Sequence, residues 1–144
     1  MVLMPSRQKK TQEVSQLIAA ARDAMSLAYA PYSRFSVGAA ILTSTGETFS
    51  GCNVENAAYG HSVCAERVAL FKAVSTGYRG LSRIAIVCSS GKPVAPCGAC
   101  RQSLWEFAPD LDVIMAGTRR QFTVKINKLL PYAFGPLDLP DQPD

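Results

Sequence analysis

The chain has 144 residues, 48% of them hydrophobic and 18% charged, with a formal net charge of +4. That length supports one substantial core and argues against two, and no apolar run approaches the roughly 20 residues of a membrane-spanning helix. The basic residues are scattered, apart from Arg7, Lys9 and Lys10 near the start and Arg119 and Arg120 later, so neither a membrane nor a nucleic-acid partner is expected.

The opening MVLMPSRQKK sets its basic residues after its apolar ones, the reverse of a secretory signal, and a cytoplasmic location is expected. From about Thr11 to Tyr29, Val14, Leu17, Ile18, Ala21, Met25 and Ala28 recur at helical spacing, and Ala30-Pro31-Tyr32-Ser33 ends that helix. VGAAIL and ETFSGC flank the turn Thr43-Ser44-Thr45-Gly46, a hairpin pattern. Gly51 to Asn56 is a loop, and Ala65 to Val74 regains helical spacing through Val68, Ala69, Phe71 and Lys72.

IAIVC is a short continuous apolar run, suited to a strand covered on both faces. Pro96 to Cys100 opens another helix, with Leu104, Trp105 and Ala108 as its apolar positions, and Pro109 closes it. VIMA is a fourth strand, and a fifth lies near Phe122 to Lys125, before a short helix around Ile126 to Leu130. This order predicts an α/β domain of three layers, α/β/α, around a mixed five-stranded sheet. The whole chain, 1–144, is expected to be one domain, with about 1–10 and 138–144 as flexible tails.

Cys52, Cys64, Cys88, Cys97 and Cys100 are an odd number without an export signal, which disfavours a disulfide framework and leaves metal binding, catalysis or burial. Cys64-Ala65-Glu66 and Pro96-Cys97-Gly98-Ala99-Cys100 each follow a loop and open a predicted helix. Three thiolates suit zinc and leave a fourth tetrahedral position free. Helix starts stabilise thiolate, because their unpaired N–H groups carry positive partial charge. Cys97 and Cys100 share a helix face, whereas Cys64 and Glu66 converge only if both lie in the first turn.

A Cys-x-x-Cys alone is weak evidence. A closed structural knuckle, in which Cys52 or Cys88 supplies a fourth thiolate, stands beside the catalytic reading, in which Glu66 moves protons for a zinc-activated water. Zinc deaminases pair His-x-Glu with Pro-Cys-x-x-Cys and allow a three-cysteine ligand set; here Cys64 stands where that pattern shows histidine.

NVENAAYG, CAERVAL and PCGACRQ closely resemble the small cytidine deaminases of nucleoside salvage, and the resemblance extends from YSRFSVGAA to LLPYAFGP. It implies zinc-dependent hydrolytic deamination of cytidine and deoxycytidine to uridine and deoxyuridine, with release of ammonia. One Zn²⁺ per subunit would be held by Cys64, Cys97 and Cys100, and Glu66 would pass protons to ring N3 and to the departing amine. Asn53 and Glu55 would bind the ribose hydroxyls, and Phe35 would pack against the nucleoside. Ala65 would offer its N–H to the pyrimidine carbonyl, and backbone carbonyls near Ala95 and Pro96 would meet the exocyclic amine. Small members form homotetramers, in which Tyr59 and Phe134 match aromatic positions that complete neighbouring sites.

His61 departs from the apolar residue more usual at its position and is read as a loop residue rather than a ligand. Three thiolates on Zn²⁺ leave a net charge of about −1. Arg67 or Arg101 is therefore expected to donate to a ligand sulfur, Arg67 the more strongly by resemblance. Two other readings remain: a non-catalytic zinc-stabilised binding module, and a deaminase acting on a different cytosine-bearing substrate.

Overall fold

The computed structural model describes residues 6–140. Five strands form one mixed sheet in the order β2-β1-β3-β4-β5. The hairpin of β1 (Val37–Thr43) and β2 (Thr48–Cys52) is antiparallel, with Ala40 opposite Ser50. β1 also pairs antiparallel with β3 (Leu81–Cys88), placing Ala40 opposite Ala85. The parallel pair β3 and β4 (Asp112–Ala116) needs a long crossover, and α3 (Gly98–Phe107) lies within it. β5 (Gln121–Lys125) closes the far edge antiparallel to β4.

The strand pattern follows from which faces are covered. Ile84 to Cys88 are all buried, as expected of a central strand with helices on both faces, whereas edge strand β5 is exposed at four of its five positions. On one face lies α1 (Ser6–Met25), whose Leu17, Ile18 and Ala21 pack on Ala40, Ala85, Val87 and Ile114. On the other lie α2 (Ala65–Ser75) and α3, whose Ala65, Ala69, Leu70 and Leu104 pack on Ala39, Ile41, Ile84, Ile86 and Val113. The three-layer α/β/α architecture is thus present. Each large aliphatic side chain in it contributes about 1.5–3 kcal/mol by burial.

α1 approaches β1 closely enough to dictate sequence: a Cβ on Gly38 would lie 1.9 Å from the Ala21 carbonyl oxygen. Arg83 in β3 bonds Glu13 of α1 at 2.9 Å across the same seam.

Several boundaries differ from the sequence expectation. α1 begins at Ser6, although Ser6 to Lys10 carry no apolar stripe, and it stops at Met25 rather than Tyr29. Tyr29 instead makes a bridge with Val54, drawing the chain towards the loop after β2. In α2 the inward residues are Ala65, Glu66, Ala69, Leu70 and Ala73, while Phe71 is exposed. α4 (Ile126–Leu129) follows β5 directly, and Pro136–Asp138 form a 3-10 turn. Of the expected tails, Ser6 to Lys10 are helical and Asp138 closes that turn through Gly135 N–H, while residues 1–5 and 141–144 lie outside the described residues. No described helix is long and apolar enough to cross a membrane.

Candidate active site

Cys64 precedes α2 and Cys97 precedes α3 as their N-cap residues, both extended (ψ 151° and 167°), and neither makes a side-chain capping hydrogen bond. Their sulfurs turn toward each other instead, 3.9 Å apart. The buried Cys100, in the first turn of α3, brings its sulfur into the same cluster, in which all ligand atoms lie within 4.8 Å of one another. Zinc–thiolate bonds of about 2.3 Å in a tetrahedron demand sulfur–sulfur separations of about 3.8 Å, so the three side chains fit a zinc ion.

The fourth sulfur of a closed knuckle is missing among the described residues. The cluster includes neither Cys52 nor Cys88, and the Cys88 sulfur contacts the Ser90 hydroxyl at 3.1 Å and donates to the Lys92 carbonyl at 3.3 Å. His61 is exposed on a 3-10 turn, Tyr59–His61, and takes no part in the cluster.

The electrostatics match a thiolate site. The Cys64 thiol is lowered to about 5, first by a hydrogen bond with Cys100 and then by one from Arg67, against the opposing effect of burial. The same shared hydrogen bond, reinforced by burial, pushes Cys100 up. Arg67 Nη2 donates to the Cys64 sulfur at 3.9 Å, while its buried Nε has no partner among the described residues. An orphaned guanidinium nitrogen beside thiolates is chemistry suited to a negatively charged metal cluster.

Glu66, 5% exposed, shares the first turn of α2 with Ala65. Burial raises its carboxyl above the usual range, and the negative charge of Cys64 adds to this. Such a group can hold a proton nearer neutrality than a solvated glutamate does.

A cavity of about 600 Å³ collects these groups. Cys64, Ala65, Glu66 and Cys97 line it, as do Phe35, Asn53, Glu55 and Tyr59. Phe134 does not; it stands 59% exposed at the surface. Tyr59 meets Tyr32 edge-on, with ring centroids 5.6 Å apart.

Of the two arginines expected at a ligand sulfur, Arg67 is the one that reaches it. Arg101 does not reach a sulfur: its Nε donates to the Pro96 carbonyl and its Nη1 to the Leu129 carbonyl, each at 2.8 Å. Pro96 is fully buried, whereas Ala95 lines the cavity. The Arg101 bond to Leu129 follows from the fold bringing α4 alongside α3, a long-range contact that adjacency to a motif does not encode.

Sequence reasoning also missed Ser33. Its N–H donates to both Glu55 carboxylate oxygens, and its hydroxyl donates to one of them. The same hydroxyl accepts from Phe35 N–H at 3.1 Å. Between them Arg34 adopts a left-handed conformation (φ 56°), held by its N–H on the Ala30 carbonyl. The signal in the sequence is a serine two residues before an aromatic, too common to stand out.

A model of the cytidine and deoxycytidylate deaminase zinc-binding region matches residues 11–116. A cytidine deaminase from Sporosarcina psychrophila is 47% identical over 131 residues, covering 88% of this chain and 95% of that protein. One from Halalkalibacterium halodurans is 46% identical, covering 87% and 96%. The crystal structure of a cytidine deaminase from Burkholderia pseudomallei superposes with a TM-score of 0.80 at 48% identity, covering 83% of this chain and 98% of that one.

Proposed function

Because the chain belongs to the cytidine and deoxycytidylate deaminase zinc-binding family, we propose that it deaminates cytidine and deoxycytidine hydrolytically, giving uridine or deoxyuridine and ammonia. The carrying observation is the convergence on one cavity of a zinc-compatible cysteine cluster, a buried glutamate and the Asn53–Glu55 loop.

Cys64, Cys97 and Cys100 would hold the zinc, which when bound would supply the Lewis acidity that makes water nucleophilic at neutral pH. Glu66 takes one proton from the water onto its carboxylate and delivers it to ring N3; it then takes the remaining proton of the oxygen added at C4 and passes it to the amine, which leaves as ammonia while the C4 carbonyl forms. The high proton affinity that burial gives Glu66 suits both transfers. Ala65, at the helix start, donates its N–H to the pyrimidine carbonyl, and Ala95 accepts from the exocyclic amine. Arg67 compensates the negative charge of the thiolates.

Asn53 and Glu55 bind the sugar hydroxyls, and Phe35 packs against the nucleoside. A carboxylate beside the sugar disfavours an added phosphate, which favours free nucleosides over nucleotides. The 1–144 chain acts as one domain in the cytoplasm, in pyrimidine salvage. It assembles as a homotetramer in which Tyr59 and Phe134, both exposed in the single chain, complete neighbouring sites.

The test is turnover of cytidine to uridine by purified protein with its zinc quantified. The expected result is about one zinc per chain with loss of turnover in Glu66→Gln while zinc is retained. A fully active Glu66→Gln variant would refute the assigned proton transfers.

A further inference from the structure

We propose that Arg101 is a positioning residue that sets the direction of the Cys97 side chain: its guanidinium holds the peptide plane before Cys97, while the first main-chain bond of α3 holds the plane after it; this rests on the reading of Cys64, Cys97 and Cys100 as zinc ligands. The backbone N–H of Arg101 donates to the Cys97 carbonyl at 2.9 Å, and its Nε donates to the Pro96 carbonyl at 2.8 Å. The two carbonyls belong to the two peptide groups that flank the Cys97 Cα. Fixing both fixes φ and ψ of Cys97, and therefore the direction of its Cα–Cβ bond.

The Pro96 carbonyl has no other means of restraint in its own residue. Proline lacks an N–H, and this one is fully buried. An unpaired buried carbonyl is costly, so the Arg101 bond is worth more here than on a surface loop.

The clamp is anchored at its far end. Arg101 Nη1 donates at 2.8 Å to the carbonyl of Leu129, the last residue of α4, where carbonyls lack intrahelical partners. Among the described residues no ion pair involves Arg101; its guanidinium joins backbone to backbone. The segment beyond α4 is seated on the same helix, with Gln102 Nε2 donating to the Phe134 carbonyl at 2.8 Å. Gly135 lies so close to Trp105 that a Cβ there would come within 2.1 Å of the ring. α4 and the chain after it therefore brace the cysteine loop through Arg101.

Only a planar fork spans two carbonyls in this way, and a lysine ammonium does not reproduce it. In Arg101→Lys, chelator-driven zinc release is expected to accelerate about tenfold or more. The cobalt-substituted variant should show an altered thiolate-to-metal absorption. Turnover should fall through kcat, with KM for cytidine within about twofold. Guanidinium ion added to Arg101→Ala should slow metal release again.

Gln102→Ala loosens the same seam without touching Pro96 and serves as the comparison; it should lower the melting temperature without accelerating release. Wild-type release rates and spectra in both Arg101 variants would overturn the proposal, as would equal acceleration in Gln102→Ala. If Arg101→Ala does not fold, Arg101→Lys decides alone. A wild-type protein that shows no cobalt–thiolate absorption would instead remove the metal-site reading itself.

Discussion

Ser33 holds Glu55 by three hydrogen bonds: its hydroxyl donates to Oε1 at 2.6 Å, and its N–H donates to Oε1 and Oε2 at 3.2 and 3.1 Å. A carboxylate held this way is already oriented before a ligand arrives, so less freedom is lost on binding. Ser33→Ala removes only the hydroxyl bond, and with it the link to Phe35 N–H. A hydrogen bond to a charged group is worth about 1.5–3 kcal/mol. KM for cytidine should therefore rise roughly tenfold or more, with kcat within about threefold. Steady-state kinetics check this, and an unchanged KM would show that Glu55 does not depend on Ser33.

Asn53 carries a second burden besides any contact with substrate. Its Oδ1 accepts from Val37 N–H and its Nδ2 donates to the Phe35 carbonyl, each at 2.8 Å. It thereby ties the start of β1 to the Phe35 loop. Asn53→Ala leaves both backbone groups unpaired, at a cost of about 1–3 kcal/mol. The melting temperature should drop by several degrees, together with a rise in KM. Loss of affinity at an unaltered melting temperature would argue that these backbone bonds contribute nothing.

Much of this was legible in the sequence, for identifiable reasons. Cys64, Glu66, Cys97 and Cys100 sit where loop meets helix, and both boundaries are marked locally by a change from irregular spacing to helical period. Their convergence required only that two helix starts meet. The first residues of α1 were illegible because Ser6 to Lys10 offer no apolar stripe to count. Ser33 acts on Glu55 from 22 positions away and Arg101 on Leu129 from 28. Both act at backbone or carboxylate atoms whose places are set by tertiary packing, which no local period encodes.

The hydrogen bonds that Cys64 makes with Cys100 and, next, with Arg67 predict a pH signature in the metal-free protein. Cys64 is lowered to about 5 against an ordinary thiol value of 9.0. As an acid with a depressed pKa, it contributes stability that is full above the ordinary thiol range and is lost as the pH falls through about 5; the raised Cys100 opposes it in part. At pH 6–7, iodoacetamide should therefore alkylate Cys64 in preference to the buried Cys100, as peptide mass mapping would report. Arg67→Gln should move the Cys64 titration upward, because it removes a donor and a positive charge. An unshifted titration in that variant would show that Arg67 does not stabilise the thiolate.

Glu66 should trade stability for chemistry, and the sign can be worked out. Burial raises its folded pKa above that of the unfolded chain, so between the two values the native state binds more protons. Its contribution to stability is then most favourable at low pH, declines as pH passes through the unfolded value, and levels off above the folded one. At pH 7–8 the metal-free protein consequently bears the cost of a buried carboxylate that a neutral amide does not impose. Metal-free Glu66→Gln should melt higher than metal-free wild type at pH 7–8, with the difference shrinking toward pH 4. The zinc-loaded variant should lose about 10²–10⁴-fold in kcat. Thermal melts across that pH range and cytidine turnover measure the two effects separately. A variant that is less stable at every pH would show that the carboxylate is needed for the fold, whereas the expected crossing of stability and activity places its cost and its use at the same proton.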